Sequence, residues 1–111
     1  MLIRWREFGG RPGDRLFERL NSSLERYREG SQAMSIGLTT DPMRTWSEQR
    51  WEGWSEMVVI YSTSSRNFTR AVEGGLVALG WNKRFTTWNY DPIGKGLPGS
   101  YTRYYVYVLL E

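Results

Sequence analysis

Neither cysteine nor histidine occurs in these 111 residues. Without cysteine there is no disulfide framework and no thiolate metal site. Without histidine, the commonest general base and the commonest metal ligand are both missing. Ser-His and Cys-His catalytic arrangements, zinc hydrolases and non-haem iron sites are therefore excluded. A metal here must be a hard ion held by carboxylate, carbonyl or water oxygens. Any catalysis must rest on carboxylates, Tyr, Lys or Arg. No apolar run approaches the roughly 20 residues of a membrane-spanning helix; the longest, Tyr104 to Leu110, is of strand length. No charged-then-apolar leader opens the chain, so the expectation is a cytoplasmic protein without a membrane partner.

What the sequence does have is aromatic weight and arginine. Six Trp and seven Tyr fill a core efficiently, and the same side chains stack on bases and anchor interfaces. The net charge is +3. Of 15 basic residues 13 are Arg, with only Lys83 and Lys95 besides. Arginine suits bidentate phosphate contact and stacking, although a GC-rich genome produces the same bias with no functional meaning.

The hydrophobic pattern predicts one domain over 1–111 with the order β-α-β-α-β-α-β. Met1 to Phe8 reads as a strand with Ile3 and Trp5 on one face and Arg4 and Arg6 on the other. After a Gly-Pro-rich turn, Asp14 is expected to cap a helix whose stripe is Leu16, Phe17, Leu20, Leu24 and Tyr27, stopped by Gly30. Ala33 to Thr39 is a second strand. Asp41-Pro42 opens a second helix, running to about Arg50 with Met43 and Trp46 inward, and Trp51 to Trp54 form a loop. Glu56 to Ser62 reads as a central strand buried on both faces. Thr63-Ser64-Ser65 caps a third helix with the stripe Phe68, Val72, Leu76 and Leu79. Gly74-Gly75 within that helix costs up to about 1 kcal/mol per residue against Ala, and close approach to the sheet is the expected return. Asn82 to Ser100 is a long connection with a short strand around Phe85 to Trp88, and its Gly94 to Gly99 stretch lacks phosphate-loop spacing. Tyr101 to Leu110 is the last strand, with Tyr105, Tyr107 and Leu109 facing one way. These elements describe an α/β (α+β) fold, with about three helices on a small mixed sheet.

Ser35-Ile-Gly-Leu-Thr-Thr-Asp-Pro-Met-Arg-Thr-Trp46 resembles the GIY-YIG nuclease superfamily, in which a Y-I-G strand leads through a turn into a helix opening D/N-x-x-x-R. The resemblance continues through Met57 to Ser65, and the tyrosine-rich Tyr104 to Leu110 is similar to the strand carrying G-I-Y. It implies a core over 33–80 completed by the strand at 101–111, with 1–32 an extension outside it. It also implies a Mg2+ or Mn2+ ion on Glu73, an arginine that stabilises phosphate charge, and tyrosines near a nucleophilic water. Ser35, however, stands where the family has the Y-I-G tyrosine. Thr45 stands where it has the arginine, with Arg44 one position away. The tyrosine-rich strand closes this chain, whereas the family opens with it.

Three functional expectations follow. The first is a nucleic-acid-binding protein with lost or weak nuclease activity, using Arg44, Arg50, Arg66 and Arg70; the last two are i, i+4 on one helical face. The second is a protein-interaction module built on the aromatic cluster Trp46, Trp51 and Trp54. The third is an active metal-dependent nuclease with Glu73, Arg44, Tyr105 and Tyr107 as its catalytic set.

Overall fold

The computed structural model describes residues 3–81 and 103–111. Four strands, β1 (Ile3–Phe8), β2 (Met34–Thr39), β3 (Glu56–Thr63) and β4 (Tyr104–Leu110), alternate with three helices, α1 (Asp14–Glu29), α2 (Pro42–Gln49) and α3 (Arg66–Ala78). They form one mixed sheet in the order β1-β3-β4-β2. β1 runs parallel to β3, while β4 lies antiparallel to both β3 and β2. The N-terminal strand thus completes the sheet as an edge, and the tyrosine-rich strand fills the gap between β2 and β3. No described helix is long and apolar enough to cross a membrane.

β3 is paired on both sides and presents Met57 and Val59 to one face and Val58 and Ile60 to the other, all fully buried. A run with no polar alternation has only such a central position open to it. A register shift against β4 between Val59 and Tyr61 lets Ile60 and Tyr61 join the same core. The larger core holds Leu16, Leu20 and Leu24 of α1 and Val72 and Leu76 of α3 over Ile36, Val58, Val106 and Val108. The smaller core, on the opposite face, sets Trp46 of α2 over Met57, Val59, Tyr107 and Leu109. Helices α1 and α3 therefore cover one face, and α2 covers the other.

Several expectations are corrected by packing. Asp14 is the first helical residue rather than the cap; Gly13 is the N-cap, and no side chain bonds there. Met43 is 57% exposed and does not point inward, because the inward positions of α2 go to Thr45, Trp46 and Gln49. A 3-10 turn (Arg50–Glu52) opens the segment expected as loop. In α3 the buried stripe is Thr69, Val72 and Leu76, while Leu79 is the C-cap and half exposed. Gly75 approaches α1 rather than the sheet: a Cβ there would lie 2.2 Å from the Phe17 ring. Gly74 has open space around it. The expected short strand at 85–88 and the Gly94 to Gly99 loop lie outside the described residues.

Candidate functional site

β1, β2 and β3 are mutually parallel, so their carboxyl ends and the starts of all three helices gather at one end of the sheet. Each helix start is built differently. At α2, Pro42 supplies a pre-set φ at N1, and the Asp41 side chain accepts from the Arg44 backbone N–H at 3.2 Å. At α3, Ser65 Oγ accepts from Phe68 N–H at 3.1 Å, and Ser65 N–H donates to Thr63 Oγ1 at 3.1 Å. At the start of β4, Arg103 donates to Ser62 Oγ at 2.7 Å. The Tyr61 hydroxyl reaches back to donate to the Gly10 carbonyl at 2.6 Å. Burial pushes the Tyr61 phenol above its ordinary value, partly offset by its bond with Thr63 and the charge of Arg103.

Between β2 and α2 lies a buried polar seam. Thr39 and Thr45 share a hydroxyl hydrogen bond of 2.7 Å, and Thr39 Oγ1 also accepts from the Asp41 N–H at 3.0 Å. Thr45 is buried and Arg44 exposed, as the turn of about 100° between successive helical residues requires. The position matching the family's arginine is thus closed and neutral. Ser35 is also buried, and its hydroxyl has no hydrogen-bond partner among the described residues; the same holds for Trp46 Nε1 and Gln49 Oε1. Thr39 and Gln49 were missed by the sequence reading. Polar residues next to a recognisable helix start were the available signal for them.

The two candidate tyrosines share this face but not an environment. Tyr107 is fully buried beneath Trp46, and its ring crosses over Gly37, its register partner on β2. Tyr105 is half-buried and meets Trp5 edge-on, with ring centroids 6.0 Å apart. Glu73 lies elsewhere. It is half-buried on α3, whose Val72 and Leu76 pack on the α1 side, so the sheet stands between Glu73 and the tyrosines. No three residues of metal-ligating type gather anywhere among the described residues. A Mg2+ ion on one carboxylate would depend on waters and substrate phosphates for its remaining ligands. Glu73, Arg44, Tyr105 and Tyr107 are therefore not brought together, and no hydrolytic step can be derived from them.

The candidate binding arginines divide in two. Exposed Arg44 and half-buried Arg66 stand in the first turns of α2 and α3, and exposed Arg70 lies one turn further along. Arg11 and Arg15, near the start of α1, and Arg103, before β4, are exposed at the same end, against Asp14 and Asp41 as acids. Arg50 is at the opposite end, stacked 5.0 Å over the Trp51 ring. There Trp46, Trp51 and Trp54 border a cleft of about 490 Å³, and Trp51 is 79% exposed. No protein-family model, curated protein or solved structure matches this chain.

Proposed function

We propose that this protein binds nucleic acid without cleaving it, on a scaffold similar to that of the GIY-YIG nucleases. The observation that carries the reading is the crowding of arginines where the helices begin. Arg11, Arg15, Arg44, Arg66 and Arg103 all stand at that end of the sheet. Helix N-termini already favour anions through free N–H groups and the macrodipole, and arginine is the side chain best matched to phosphate. Loss of cleavage is supported by the closed seam, with neutral Thr45 hydrogen-bonded inside and Tyr107 out of reach of any substrate.

The test is fluorescence anisotropy with labelled DNA and RNA at two salt concentrations in the presence of Mg2+, with the products run on a gel. Salt-sensitive binding that weakens in Arg44→Ala/Arg66→Ala, with the probe intact, is the expected result. Cleavage that needs Mg2+ or Mn2+ and is abolished in Glu73→Ala would overturn the non-cleaving half. Absence of binding at low salt would overturn the whole.

A second reading rests on Trp51, whose ring is mostly in solvent beside Trp54. An exposed aromatic cluster is the kind of surface that anchors a protein partner. Such association would barely respond to salt, whereas contacts to several phosphates weaken steeply.

A further inference from the structure

The N-terminal unit β1–α1, which the family resemblance does not cover, carries its own concave surface. A cleft of about 560 Å³ opens between the edge strand β1 and helix α1. Arg4, Trp5, Arg6 and Phe8 line it from the strand, and Ser23, Arg26 and Tyr27 from the helix. Trp5 is exposed, while Phe8 and Tyr27 are half-buried, each with part of its ring packed against the larger core. A smaller cleft of about 180 Å³ continues it past Phe8, lined by Arg11, Arg15 and Arg19. Six arginines thus follow one groove, with Phe8 common to both parts, and no residue lining either part is acidic.

The helical register explains how α1 sorts its charges. With about 100° per residue, Arg15, Arg19 and Arg26 fall within about 40° of one another, on the flank facing β1. Phe17 and Asn21 take the other flank, where Phe17 meets Gly75 of α3 and Asn21 accepts from the Trp81 indole N–H at 2.9 Å. Glu18, Glu25 and Glu29 occupy the outward ridge between the flanks and are exposed. Of the six arginines only Arg4 forms an ion pair among the described residues, with Glu56. The remaining five keep their charge available. Aliphatic core packing does not need this flank, since Leu16, Leu20 and Leu24 already fill the interface with the sheet.

We propose that this groove binds single-stranded nucleic acid, with Phe8 and Tyr27 offering planes for unpaired bases and Arg6, Arg15, Arg19 and Arg26 contacting the phosphates. The inference rests on the nucleic-acid reading above but assigns it a site distinct from the arginines of α2 and α3. A row of cations accompanied by aromatic planes is the combination that holds an unpaired strand without sequence preference. The larger cleft, at about 560 Å³, falls within the range of about 300–1,000 Å³ of small-ligand pockets, which is large enough for one nucleotide unit. An acidic peptide would use the cations but leave the rings without a role, so the rings favour the nucleic acid.

The experiment titrates three proteins with a labelled oligothymidine of about eight nucleotides and with a duplex of equal length. The proteins are the full chain, Arg19→Gln/Arg26→Gln and Tyr27→Leu, each checked for an unchanged circular dichroism spectrum. The full chain is expected to prefer the single strand. The double arginine variant should weaken it about tenfold or more and flatten the salt dependence by about 0.7 per lost contact. Tyr27→Leu should weaken it about fivefold or more while leaving the salt slope intact. If Tyr27→Leu does not fold, the arginine variant, whose changes are on the surface, decides alone.

Binding by the full chain that neither variant alters, but that Arg44→Ala/Arg66→Ala removes, would overturn this site and leave the general reading standing. No binding by any protein would overturn both. Loss in the arginine variant with equal competition by inorganic polyphosphate and no effect of Tyr27→Leu would overturn the base-stacking assignment.

Discussion

Gly37 lies directly beneath the ring of Tyr107. A Cβ built on Gly37 would stand 2.3 Å from both Cζ and the hydroxyl oxygen of that ring. The ring cannot step aside, because Tyr107 is fully buried between β2 and the smaller core under Trp46. Gly37→Ala therefore sets two terms against each other. Overpacking a filled core costs about 1–3 kcal/mol, while replacing a strand-interior glycine returns about 0.5–1 kcal/mol of backbone entropy. The expected net is a loss of about 0.5–2 kcal/mol, read as a lower denaturant midpoint with an unchanged slope. The control is the same substitution in a Tyr107→Leu background, where the phenol is gone. There Gly37→Ala should be neutral or stabilising, giving a coupling of about 1–3 kcal/mol in the double-mutant cycle. Equal effects of Gly37→Ala in the two backgrounds would refute the argument that the glycine is there to make room for the ring.

The adjacent glycines of α3 should respond with opposite signs. Gly74→Ala meets nothing within 4 Å and should stabilise by up to about 1 kcal/mol, whereas Gly75→Ala must displace the Phe17 ring and should lower the melting temperature. Two thermal scans compare them, and a stabilising Gly75→Ala would place the α1–α3 contact wrongly. The Tyr61 phenol is raised by burial, so its neutral form is favoured on folding; that contribution is present below the unfolded value near 10 and is lost as pH rises through the folded one. Stability measured from pH 8 to 11 should therefore fall at the alkaline end, and Tyr61→Phe should flatten that fall while costing about 1 kcal/mol at neutral pH through the lost bond to Gly10. Thr45→Arg, which introduces the residue type that the GIY-YIG pattern has at this position, should destabilise strongly, because it places an unpaired charge against Thr39 in a buried seam. Soluble Thr45→Arg protein with wild-type stability would mean that the seam is open to water.

Much of the fold could be read from the sequence because its signals are local. Asp41-Pro42 names a helix start through one side-chain acceptor and one fixed φ, and Ser65 does so through its hydroxyl. The unbroken Met57 to Tyr61 run has only a central strand open to it, and the alternation of Tyr105, Tyr107 and Leu109 gave their common face correctly. The misplaced details depend on contacts distant in sequence. Met43 and Thr45 compete for the inward side of a short helix, and Thr39, six residues upstream of Thr45, decides it by hydrogen bonding. Gly75 serves Phe17, 58 positions earlier (75 − 17), so no pattern within α3 could distinguish approach to a helix from approach to a sheet.

The same distinction between local and distant information governs the candidate site. Reading Glu73, Arg44, Tyr105 and Tyr107 as one set requires α3 and β4 to present them to a common space. The sheet, covered by helices on both faces, instead places α3 on the face opposite the tyrosines. The groove on β1–α1 was equally hidden, for the converse reason. In the sequence pattern Arg4 and Arg6 are simply one face of a strand, and Arg19 and Arg26 fall outside the apolar stripe of a helix. Each assignment is sound for its own element. Only the parallel pairing of β1 with β3, which leaves β1 as an edge beside α1, turns two separate polar faces toward each other. Edge strands are commonly guarded by charge against unwanted pairing, and two arginines on β1 would satisfy that need alone. They do not account for the three arginines aligned on the facing flank of α1, and that surplus of charge is what points to a polyanionic ligand.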